Sequence, residues 1–140
     1  MGFVMENMSL VSSHGSFMLD LKIKNHAAMA ALTKGQATRA DIDTLVAMVN
    51  IVEALYRLGF GKDYNDVVSS GLAALKAVGS RGATTSKFIL RAEEMKAMNT
   101  MIELHDAQLE VITLKDMDAA IALVYEEIRQ KKLTPIIEHV

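Results

Sequence analysis

MNTMIELHDAQLEVI, Met98–Ile112, is the stretch whose reading decides the fold. Wound at about 100° per residue, Met95, Met98, Met101, Ile102, His105, Leu109 and Ile112 share one face of a helix that begins near Arg91. A helix with so continuous an apolar stripe lies against a core. His105 falls near the middle of the stripe, and a buried imidazole needs at least one hydrogen-bond partner.

A second helix shows a matching oddity. Thr38-Arg39-Ala40-Asp41 reads as a capping box with Asp in the place of Glu or Gln. Ile42, Leu45, Val46, Val49, Val52 and Tyr56 follow at helical spacing until Gly59. Met48, Ile51, Leu55 and Leu58 add apolar surface on the other side, so this helix is apolar over most of its girth and belongs at the centre. Glu53 falls on its apolar side, and a buried carboxylate needs a donor. Glu53 and His105 are therefore the candidate buried polar pair, within the chain or across a symmetric dimer seam. The plainer alternative is that His105 is a satisfied core or interface residue with no metal or acid–base role.

Outward from these two helices, a first helix spans Leu21–Thr33 and stops at Gly35. A third, capped by Asp63 or Asn65, carries Val67, Val68, Leu72, Leu75 and Val78 and ends in GSRG, and Ser70-Gly71 weakens its middle. ATTSKFIL reads as a short extended stretch. Thr113-Leu114-Lys115-Asp116 repeats the Thr-x-x-Asp start and opens a fifth helix to about Lys132, with Met117, Ile121, Val124 and Ile128 on one stripe. Residues 1–19 hold no steady period and read as an irregular arm, with a strand-like segment at Phe17–Leu19. The expectation is an all-α, single-domain bundle of about five helices over residues 20–140, preceded by that arm.

Composition narrows the function classes. The chain has 140 residues, 51% hydrophobic and 23% charged, an apolar surplus that points to self-association or a partner surface. A net charge of −2 provides no bulk field for nucleic acid. With no cysteine, disulfides, thiolate nucleophiles and cysteine metal sites are excluded. The first residues lack a basic n-region, Glu6 stands where a myristoylation signal needs Ser or Thr, and no apolar run reaches membrane-spanning length. The cytoplasm is the expected location, with no membrane partner.

No motif assembles a catalytic set. GSRGATTSK, Gly79–Lys87, is glycine- and hydroxyl-rich but departs from the phosphate-loop pattern. His14, His26 and His139 form no ligand spacing with His105, and Glu103 precedes His105 by two residues rather than three, which breaks the Glu-x-x-His pattern of di-iron bundles. Asp106 turns about 100° away from His105, so the adjacent pair is not a shared metal site. No cofactor is expected. Arg81, Lys87 and Arg91 form a basic patch that could meet phosphate. Among ten methionines, Met5, Met8 and Met18 in the arm are the candidates for partner contact.

KNHAAMAALTKGQATRADIDTLVAMVNIVEAL (Lys24–Leu55) and FILRAEEMKAMNTMIELHDAQLEV (Phe88–Val111) resemble segments of small uncharacterised helical accessory proteins of bacterial phages and plasmids. That resemblance implies a mobile-element protein that binds a host or phage protein, and it assigns no site residue. The expected function is non-enzymatic protein–protein contact as a homodimer. The alternatives are nucleic-acid binding through the basic loop and a small enzyme or metal site around His105 and Glu53.

Overall fold

A computed structural model describes the backbone of residues 2–130 and the side chains of residues 15–130. Five α-helices follow one another: α1 (Gly2–Thr33), α2 (Arg39–Arg57), α3 (Asn65–Thr85), α4 (Ala92–Val111) and α5 (Leu114–Arg129), with a 3₁₀ turn at Lys62–Tyr64. They form an all-α, single-domain bundle. Among the described residues no helix is long and apolar enough to cross a membrane.

Helix starts follow local chemistry. Thr38 Oγ1 accepts from the Asp41 N–H while Asp41 Oδ2 accepts from the Thr38 N–H at 2.8 Å. Thr113 and Asp116 repeat this at α5, with bonds of 3.1 and 2.8 Å. Each box satisfies two amides that the first helical turn would otherwise leave orphaned. Gly35, at φ 71°, turns the chain out of α1. At α3 the cap is different: neither Asp63 nor Asn65 caps it, and Asn65 Oδ1 instead accepts from the Tyr56 hydroxyl at 3.3 Å.

α2 is the spine and touches each of the other four helices. Ile42, Leu45, Val49, Val52 and Leu55 are fully buried, as are Met98 and Met101 of α4. The two helices read as central are therefore central.

The structure corrects the sequence reading in three places. First, Phe17–Leu19, expected to be strand-like, is helix within α1. No proline interrupts it, and Met18, Leu21, Asn25, Ala28, Met29 and Leu32 make one continuous stripe.

Second, α3 does not stop at GSRG but runs through Gly79 and Gly82 to Thr85, where Ser86 turns left-handed at φ 62°. A Cβ on Gly71 would lie 2.5 Å from Met101 Cε, and one on Gly82 would lie 2.3 Å from the Phe88 ring. The missing side chains let α4 and the segment before it approach α3 closely, and that contact outweighs the glycines' poor helix propensity.

Third, Met117, Ile121 and Val124 of the expected α5 stripe do face the core, joined by Ala120 and Glu127, while Ile128 is 51% exposed.

Candidate functional site

The core has two apolar clusters. One gathers Met29, Leu32, Ile42, Leu45, Val49, Val78, Met98 and Ile102. The other gathers Met18, Leu55, Leu109, Ile112, Met117 and Ala120. Between them, along both α1 and α4, the buried residues turn polar: Asn25 on α1, His105 and Gln108 on α4. A polar layer thus crosses the middle of the bundle.

Its hydrogen bonds fix its chemistry. Gln108 Nε2 donates to the Val52 carbonyl at 3.3 Å and to the Phe60 carbonyl at 3.1 Å. Carbonyls only accept, so the amide orientation is determined and Oε1 faces His105 Nδ1 at 3.0 Å. Nδ1 therefore carries the proton, and the ring is the neutral Nδ1–H tautomer. Nε2 is then a bare lone pair with no hydrogen-bond partner, and Asn25 Nδ2 is likewise unpartnered. Burial pushes the His105 pKa below its ordinary value, against smaller opposing effects of the Gln108 hydrogen bond and the Asp106 charge.

Glu53 and His105 do not pair. Glu53 accepts from Arg57 one turn on, at 2.7 Å, and the same guanidinium reaches across to Glu127 of α5. Three charges thus tie α2 to α5, and Glu53, though half-buried, finds its donor on its own helix. His105 is 0% exposed within one chain, which removes it from any dimer seam. Asp106 turns outward and meets His26 of α1 at 2.7 Å. Among the described residues no group of three His, Asp or Glu side chains is placed to hold a metal.

The basic loop is also dispersed. The Arg81 guanidinium is bound by both oxygens of Glu94 and by the Ile89 carbonyl. Hydrogen bonding to Glu94 raises the pKa of Arg81, and the bond to Arg81 lowers that of Glu94. Glu94 also accepts from the Arg91 amide at 2.9 Å, so this acid anchors the start of α4. Lys87 and the Arg91 side chain remain exposed, and Arg81 is committed to structure. Met18, expected at a partner surface, is 4% exposed and packs in the second cluster, whereas the side chains of Met5 and Met8 lie outside the described residues.

One surface was missed by the sequence reading. A groove of about 380 Å³ lies between α2 and α5, lined by Asp43, Val46, Ala47, Asn50 and Ile51 of α2 and by Ile121, Val124, Tyr125 and Ile128 of α5. Tyr125 is 69% exposed, and Leu114, about three helical turns earlier on α5, is also exposed. The available signal was that α5 has more apolar positions than one buried face can use. The surface is mostly apolar, with the Tyr125 phenol, the Asp43 carboxylate and the Asn50 amide as its polar groups. No family model, no curated protein and no solved structure matches this chain.

Proposed function

We propose that this is a non-enzymatic contact protein, a homodimer that associates through the α2–α5 face and serves a bacterial mobile element by binding a host or phage protein. The observation that carries the reading is the apolar α2–α5 groove with Tyr125 and Ile128 uncovered at its rim. A chain of this size has enough core to hide such residues, so large apolar side chains left together on one face favour association. The polar layer supports the same reading from the other side: its histidine is sealed away from any substrate and its ring is held in one tautomer by Gln108. Nucleic-acid binding by the basic loop is less favoured, because Arg81 is occupied by Glu94.

Replacement of Ile128 by Glu tests the proposal. Ile128 is half exposed, so the variant keeps its helical circular dichroism and its melting temperature within a few degrees. The reading expects a smaller hydrodynamic size than the parent at equal concentration. Identical elution of the two, at every concentration, contradicts it.

A further inference from the structure

We infer that Asn25, His105 and Asp106 together hold one internal water molecule, which joins α1 to α4 within the polar layer. Three buried side-chain atoms at this level have no protein partner: Asn25 Nδ2, His105 Nε2 and Asp106 Oδ1. Polar atoms buried unpaired are costly, and an internal water is the usual way in which a folded chain satisfies them.

Two ion pairs place the three atoms together. His26 Nε2 meets Asp106 Oδ2 at 2.7 Å. Lys22, one turn earlier on α1, meets Glu110, one turn later on α4, at 3.6 Å. The two helices therefore run antiparallel, with His26 level with Asp106. Asn25 and His105 each precede a member of that pair. One residue back is a rotation of about 100° on each helix, and in an antiparallel pair both rotations lead to the same side of the contact. That side is the core, since Asn25 is 1% exposed and His105 0%. Each helix rises about 1.5 Å per residue in opposite directions, so the two side chains start about 3 Å apart along the axes. Asp106 spans the contact, with Oδ2 on His26 and Oδ1 on the buried side.

The inventory of donors and acceptors selects the ligand. Asn25 Nδ2 only donates, whereas Nε2 of the neutral ring and the Asp106 carboxylate only accept. A cation would face the Asn25 N–H, and an anion would face the carboxylate. A water accepts from Asn25 and donates to both His105 Nε2 and Asp106 Oδ1, the three bonds typical of a buried water. A proton on Nε2 would aim a second donor at that O–H, so the water suits the Nδ1–H tautomer that Gln108 sets. A groove of about 450 Å³ between α1 and α4 is lined by His26 and brings solvent to the outer edge of this level.

NMR of the full chain, labelled with nitrogen-15, tests the assignment. The Asn25 side-chain amide protons are expected to show a dipolar cross-peak with water, of the sign that separates a held molecule from proton exchange. The His105 Nε2 resonance is expected at the shift of a nitrogen that accepts a hydrogen bond, displaced from that of a free lone pair. Asn25→Leu removes the donor and fills its space, and is expected to move the Nε2 resonance to the free position. Absence of the water cross-peak in the parent chain overturns the proposal, whether Nε2 is free or bonded directly to Asn25. An Nε2 shift left unchanged by Asn25→Leu overturns it as well, and if that variant does not fold the parent cross-peak alone decides.

Discussion

His105 Nδ1 donates to Gln108 Oε1 at 3.0 Å, one turn away on α4, and Gln108 in turn donates to the carbonyl of Val52 within α2 and to that of Phe60 beyond its end. This chain of bonds locks a neutral imidazole into the middle of the core. Protonation would place a charge and an unpartnered Nε2–H where neither has a partner.

The pH dependence of stability follows. The unfolded chain binds a proton at its histidine near the ordinary pKa of about 6.5, while folded His105 resists until lower pH. Stability is therefore full above that value and falls as pH drops through the interval between the unfolded and folded values, by up to about 1.4 kcal/mol per pH unit for this group. Urea denaturation at pH 7.5 and 5.5 measures it. His105→Leu is expected to lose about 1–3 kcal/mol at pH 7.5, because Gln108 Oε1 loses its donor, and to show a shallower acid limb. A variant with the parent's acid limb contradicts the assignment.

Two helical glycines, Gly82 of α3 and Gly15 of α1, yield an opposite pair of outcomes. Gly82→Ala places a methyl group against the Phe88 ring and is expected to cost about 1–3 kcal/mol despite alanine's better helix propensity. Gly15→Ala, with nothing within 4 Å of its Cβ, is expected to raise stability by up to about 1 kcal/mol. Thermal melts of the two variants distinguish packing from propensity, since propensity alone makes both stabilising.

Arg81 and Glu94 join the end of α3 to the start of α4. Glu94→Gln weakens the bond to Arg81 and the cap on the Arg91 amide together, with an expected loss of about 1–2 kcal/mol. Glu94 titrates below its ordinary range when folded, so its contribution is present above about pH 4.5 and disappears as pH falls through the lower folded value. Denaturant melts at pH 7 and pH 3 are expected to show a gap between parent and variant that closes at the lower pH.

Some of this was written locally in the sequence and some was not. The two Thr-x-x-Asp boxes and Gly35 mark α2, α5 and the end of α1, because capping is settled within four residues. His105 was legible as buried from its place in the stripe. Gln108 on the same face, three residues on, was the overlooked partner. Glu53 had Arg57 at i+4, the ordinary helical ion pair, which competes with any partner on another helix. The end of α3 was not legible: Gly79 and Gly82 are equally good stop signals and close-packing signals, and Phe88 decides between them only once α4 has folded back. The exposure of Ile128 was hidden for a similar reason, since Ile121, Val124 and Ile128 follow one helical period whichever of them points inward.

The mass of the unmodified chain as a function of concentration tests the central claim most directly. Sedimentation equilibrium from about 1 to 100 μM, the range in which a modest interface assembles, is expected to show the weight-average mass climbing from 15.3 kDa toward twice that value. A mass that stays at 15.3 kDa across the range contradicts self-association through the α2–α5 face.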